Sequence, residues 1–224
     1  MNQVSIRIFV EGIADQVFLC DLIKQWYNFE VDKKKCELKR SNQGLIDVSR
    51  ALVGITYTGG KSYFTSNDGW EKQKAQFQFA ETNIIFLDAD ESYAQTLEEV
   101  SQTIDIPDFP FDTQLYLWPD NHGQGTLENL LETIINPENQ PILDCWSSFE
   151  QCISTLPGKS LTLPANKTKI YAYLETLLGT TNNEKEKIKE RNRDYTNTTH
   201  WNLDPTHKNL QPLKTFLDQH LLAK

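Results

Sequence analysis

Apolar positions along the chain change their spacing several times, and each change marks a predicted element. Val4–Val10 is an almost unbroken apolar run interrupted by Arg7, the pattern of a strand buried on both faces of a parallel sheet. After Glu11-Gly12 the period lengthens. Val17, Phe18, Leu19, Leu22, Ile23 and Trp26 fall at helical spacing. The stretch Asp32–Arg40 is charged and reads as a loop with a short strand, and 43–52 reads as a helix. Val53–Thr58 is β-branched and ends at Gly59-Gly60. A helix over 68–80 precedes Asn83–Asp88, the most hydrophobic strand in the chain. Ser92–Ile104 then reads as helix and Gln114–Trp118 as strand.

The clearest helix begins at Thr126, a suitable N-cap. Asn129 stands where a capping box takes Glu or Gln, so the box reads as incomplete. Leu127, Leu130, Leu131, Ile134 and Ile135 form one buried stripe, with Glu128 and Glu132 off it. Further helices are expected over 140–156, 167–178 and 207–222, and the polar segment 180–199 reads as loop or frayed helix. The alternation of strand and helix predicts an α/β fold, a mainly parallel sheet of about four strands flanked by helices. Pro157, Gly158 and Pro164 mark a linker. They divide the chain into an α/β domain, residues 1–156, and a helical C-terminal extension, residues 157–224, packed on it.

No run reaches the roughly 18 apolar residues of a membrane span. The N-terminus reads as a first strand and not as a signal peptide. A cytoplasmic protein without a membrane partner is expected. Cys20, Cys36, Cys145 and Cys152 form no C-x-x-C pair, and no His stands at zinc-finger spacing from them, which argues against structural zinc. Cys20 falls on an apolar helix face, where a reduced cysteine acts as a small hydrophobe, and no disulfide framework is expected in a reducing compartment.

Charge sharpens the picture. The net charge is −9, and residues 75–158 hold 15 Asp and Glu but no Lys or Arg. Such a stretch is either a solvated acidic face or a place where carboxylates need a divalent cation. Ligands in open parallel sheets gather at the carboxyl ends of the strands. Those ends carry Glu11 and Asp15 (VEGIAD), Lys61 after Gly59-Gly60, and Asp88 and Asp90 (LDADES). If the strands are neighbours, Glu11, Asp88 and Asp90 converge. Packed carboxylates repel and resist ionising, and Mg²⁺ or Mn²⁺ relieves that with a few hard oxygen ligands.

The order V-E-G-x-x-D after the first strand, then D-x-D about 75 residues later, resembles a Toprim domain. That metal-dependent module is shared by topoisomerases, primases and nucleases of the overcoming-lysogenization-defect class. LWPDNHGQGTLENLL, with Pro119, Gly125, Leu127 and Glu128, is similar to a small bacterial Toprim-like family. The resemblance implies Glu11 as general acid/base or metal ligand, and Asp88 and Asp90 as the pair that holds Mg²⁺. It also implies Asp15 as the following acidic residue, Glu128 at a second metal or orienting the ligands, and, more loosely, Lys61 against phosphate charge. The implied activity is Mg-dependent phosphodiester or phosphoryl chemistry on nucleic acid or a nucleotide, nuclease-like in type. The alternative is a degenerate Toprim-fold module that binds metal or a protein partner without turnover, with Trp118, Trp146 and Trp201 as contact residues.

The electrostatics resist a nucleic-acid substrate, because phosphates are neutralised by Lys and Arg. The basic candidates are Lys33, Lys34, Lys35, Lys39 and Arg40, then Lys185, Lys187, Lys189, Arg191 and Arg193. Glu184, Glu186 and Glu190 interleave the second group, which therefore also reads as a solvated, ion-paired helix.

Overall fold

The computed structural model describes residues 4–32, 36–40, 53–65, 77, 80–104, 112–158 and 160–222. Its centre is a six-stranded sheet in the order β2-β3-β4-β1-β5-β6. The strands are β1 (Val4–Val10), β2 (Phe29–Asp32), β3 (Glu37–Arg40), β4 (Val53–Tyr57), β5 (Ala80–Asp88) and β6 (Thr113–Trp118). Four of them, β4-β1-β5-β6, run parallel. The expectation of about four strands is corrected by β2 and β3, an antiparallel pair that continues the sheet beyond β4. The short charged segment that read as loop with one strand supplies this edge. Four residues per strand are too few for periodicity to declare them.

Strand faces explain the unbroken apolar runs. Ile6, Ile8 and Val10 of β1, with Ile84 and Phe86 of β5, pack into one core on one side of the sheet. Phe9, Ile85 and Leu87 pack into a second core on the other, with Phe64, Phe77, Ala89, Val100 and Leu117. A strand covered on both faces has no polar alternation. The second core is covered by α2 (Ser62–Thr65) and α3 (Tyr93–Ile104), which carry Phe64 and Val100.

The first and larger core is covered by α1 (Ile13–Tyr27), α4 (Leu127–Thr133) and the C-terminal helices. These are α5 (Gln140–Ser154), α6 (Asn166–Leu178), α7 (Asn182–Ile188) and α8 (Gln211–Leu221). The tail is fastened to α1 by polar as well as apolar contacts. Tyr195 packs edge-on to Phe18 at 5.2 Å and stacks obliquely on Trp201 at 5.3 Å. Its backbone N–H donates to Asp21 Oδ2 at 3.0 Å. Trp26 Nε1 donates to the Leu203 carbonyl at 2.8 Å, and the Tyr27 hydroxyl donates to Asp218 at 2.7 Å. Phe216 of α8 reaches Tyr116 of β6, ring centres 5.1 Å apart.

Several expectations change in detail. Segment 180–199 contains a real helix, α7, whose N-cap Thr181 accepts from the Glu184 N–H while Glu184 accepts from the Thr181 N–H. Trp118 and Trp201 are buried core residues and offer no contact surface. Asn129 completes the cap that sequence left unfinished: its Oδ1 accepts the Thr126 N–H at 2.9 Å. The shorter Asn side chain reaches because Gly125, at φ 135°, brings the preceding backbone close. The helices expected over 43–52 and 68–80 lie outside the described residues except Phe77 and Ala80, as do Lys33, Lys34 and Lys35. Among the described residues, no helix is long and apolar enough to cross a membrane.

Candidate functional site at the carboxyl ends of the parallel strands

Strand pairing carries the polar residues to one edge. The ladder of β1 with β4 continues past both strands, where Thr58 N–H donates to Val10 O at 2.9 Å and Gly59 N–H to Glu11 O at 3.1 Å. The Gly59-Gly60 turn, with φ of 86° and 135°, then brings Lys61 beside Glu11. On the other flank β5 pairs with β1 to Val10↔Phe86, so Asp88 emerges two residues beyond the end of the pairing. Asp90 occupies the left-handed region at φ 53°, which Asp tolerates better than most residues. It also forms a two-bond bridge with Gly125, its N–H to Gly125 O at 2.9 Å and Gly125 N–H to its carbonyl at 2.7 Å. That bridge holds the 119–125 loop over the strand ends and delivers α4 to the site.

Each expected side chain then has a definite environment. Asp15, on the first turn of α1, is 7% exposed. Its Oδ1 accepts from Trp118 Nε1 at 2.8 Å and its Oδ2 from the Gly12 N–H at 3.1 Å. Burial, with the charge of Glu128 adding to it, pushes its carboxyl up to about 7. Asp88 accepts the Leu127 N–H on Oδ1 at 3.0 Å, capping the first turn of α4. Burial, then the charges of Asp15 and Glu11, push Asp88 up to about 8. Glu11 is half-buried and also raised, chiefly by burial, with the backbone N–H groups of Lys61 and Asp88 pulling the other way. Its Oε2 is buried and has no hydrogen-bond partner among the described residues. Glu128 accepts the Thr126 hydroxyl on Oε2 at 2.9 Å.

Asp88 therefore lies within electrostatic reach of Glu11, Asp15 and Glu128, and Asp15 within reach of Glu128, although these residues come from three distant stretches of sequence. Asp90 raises Glu11 but faces outward, its side chain 52% exposed, and pairs with Lys61 Nζ at 3.1 Å. Lys61 also bonds the Thr96 hydroxyl at 2.9 Å and pairs with Glu99 at 3.5 Å. Sequence reasoning missed Trp118, Thr96 and Glu99 as parts of this arrangement. Trp118 had one signal, its place at the end of the last parallel strand, where a side chain can face α1.

The donor chemistry is that of a hard divalent cation: oxygen ligands only, with Glu11 Oε2 unmatched. The spacing is looser than a finished ligand set. Among the described residues, no three Asp, Glu, His or Cys side chains stand together as a metal-holding group. Asp15 has both oxygens engaged. The oxygens left for a cation are Glu11 Oε2 and the second oxygens of Asp88 and Glu128.

Two basic candidates of the tail are engaged within the tail itself. Lys189 pairs with Glu186 at 2.6 Å on the exposed face of α7, and Arg193 is buried, donating from Nε to the Ile188 carbonyl at 3.0 Å. The sequence matches no curated protein, and the fold matches no solved structure. Residues 5–222, nearly the whole chain, match the model of the family described as Protein of unknown function (DUF3226), and the chain belongs to that family.

Proposed function

We propose that the carboxylate cluster takes a divalent cation, Mg²⁺ or Mn²⁺, and serves phosphoryl chemistry on nucleic acid or a nucleotide, nuclease-like in type. One observation carries the reading. Carboxylates from the ends of β1 and β5 and from the start of α4 share one edge, and Glu11 keeps a buried oxygen with no partner among the described residues. Glu11, Asp88 and Glu128 would have to draw together around the ion to hold it. Once bound, the ion would supply positive charge to polarise a phosphoryl oxygen. Asp15, fixed by Trp118 and Gly12, positions the start of α1 beneath Glu11. Burial makes the Glu11 carboxyl easier to protonate than an ordinary glutamate, the property a general acid/base uses if Glu11 serves in that role instead of holding the ion. The choice of phosphodiesters over other phosphate esters comes from the Toprim resemblance of Glu11, Asp88 and Asp90.

A second reading, metal binding without turnover, is favoured by Lys61. Its ammonium is engaged by Asp90, Thr96 and Glu99, so a phosphate must displace an existing ion pair. Two measurements on the full chain separate the readings. Thermal melts with millimolar Mn²⁺ test the cation, and incubation with plasmid, a short single strand and a nucleoside triphosphate tests turnover. Metal-dependent cleavage lost in Glu11→Gln supports phosphoryl chemistry. Stabilisation by Mn²⁺ without cleavage supports the second reading, and a melt indifferent to Mn²⁺ removes both.

A further inference from the structure

The sequence separates Cys20 from Cys36 and gives no reason to pair them, but the fold brings them to one cavity. Cys20 lies on α1, 5% exposed, among the core residues of the larger face. Cys36 is half-buried just before β3, packs against the same core, and has the left-handed φ of 47°. Its carbonyl accepts the Ile55 N–H at 3.0 Å, which ties its backbone to β4. Both thiols line a cavity of about 360 Å³ whose other walls include Val17, Asp21, Arg191 and Arg193. We propose that Cys20 and Cys36 are a redox-active thiol pair that a hydroperoxide closes to a disulfide, tying α1 to the antiparallel edge of the sheet.

The chemistry follows from their contact. The two thiols are hydrogen-bonded, and this bond draws Cys36 below the usual thiol range, against burial and the charges of Asp32 and Asp21. Cys36, the more exposed of the two, is the sulfur that meets the oxidant, since the thiolate is the nucleophile. Its sulfur attacks the peroxide O–O bond, giving a sulfenic acid and releasing the alcohol or, from hydrogen peroxide, water. The Cys20 sulfur then attacks the sulfenic sulfur. The S–O bond breaks, the S–S bond forms, and the oxygen leaves as water with the Cys20 proton. Two thiols are oxidised by two electrons and one peroxide is reduced. The other cysteines cannot mimic this pair. Cys145 and Cys152 are exposed on α5 seven residues apart, about 10.5 Å along a helix axis and beyond the roughly 7 Å Cα separation a disulfide spans.

The test uses the folded full chain carrying Cys145→Ser and Cys152→Ser, treated with hydrogen peroxide and then alkylated under denaturing conditions. The expected result is a monomer that has lost two hydrogens in mass and takes up no alkylating reagent, with both thiols restored by dithiothreitol. Adding Cys20→Ser is expected to stop the reaction at oxygen adducts on Cys36, and adding Cys36→Ser to leave Cys20 reduced. Two alkylatable thiols after peroxide, oxygen added at Cys36 while Cys20 stays free, or a crosslink that forms only in urea would overturn the proposal. The result is independent of the proposed metal site, because neither cysteine contributes to it.

Discussion

In metal-free protein the carboxylate cluster makes stability fall as pH rises toward and past neutrality. Burial, then Asp15 and Glu11, push Asp88 up to about 8, and burial pushes Asp15 up to about 7. In the unfolded chain both ionise near 4, at about 3.9. Between those limits the native state binds protons that the unfolded chain has released. The stabilisation is complete below about pH 4 and is lost as pH rises through 7 and 8. Each such proton is worth about 1.4 kcal/mol per pH unit. The neighbouring groups titrate together, so one to two protons give about 1.4–2.7 kcal/mol per unit. For a chain of this size that is a fall in Tm of roughly 3–11 °C between pH 6.5 and 7.5, at 2–4 °C per kcal/mol. His200 and His220 act in the opposite sense, since burial holds both below their usual range. Their contribution grows with pH only up to about 6.5, which is why the window starts there. Asp88→Asn keeps an oxygen for the Leu127 N–H and cannot ionise. Its melting curve, followed by circular dichroism in EDTA, is expected to lose half or more of the slope and to lie above wild type at pH 7.5. Mn²⁺ should restore wild type at pH 7.5 with rising concentration, as a ligand of the native state does, and leave Asp88→Asn nearly unchanged. A wild-type Tm that stays flat across the window, or an equal slope in Asp88→Asn, would refute the reasoning.

Four further variants have outcomes that follow from the packing. Gly125→Ala places a Cβ 2.7 Å from Asn129 Oδ1 at a φ of 135°, and is expected to cost about 2–3 kcal/mol in urea unfolding. Asn129→Ala, which only removes the cap bond, is expected to cost about 1 kcal/mol, and equal losses in the two would contradict the steric argument. Trp201→Ala empties a site between Tyr173 and Tyr195 and is expected to cost about 3–5 kcal/mol; a loss under 1 kcal/mol would mean the tail does not share the core. Lys61→Ala removes partly exposed ion pairs and is expected to change stability by no more than about 1 kcal/mol, measurable in the same unfolding assay.

The sequence by itself determined the parallel core. Val4–Val10, Val53–Thr58, Asn83–Asp88 and Gln114–Trp118 declare themselves because strands buried on both faces are predominantly apolar or β-branched. It also located Glu11, Asp88 and Asp90 at strand ends, since a polar residue after such a run marks where the sheet stops. Tertiary structure decided what each of these residues does. Asp15 spends both oxygens on Trp118 and Gly12, Asp90 turns outward to Lys61, and Asp88 receives α4 through Leu127. None of those partners lies at a fixed sequence offset that periodicity can report, apart from Gly12. The edge pair β2–β3, the cap made by an Asn in place of a Glu, and the meeting of Cys20 with Cys36 were hidden for the same reason. A local pattern records which face a residue presents, whereas long-range packing alone settles what stands opposite it.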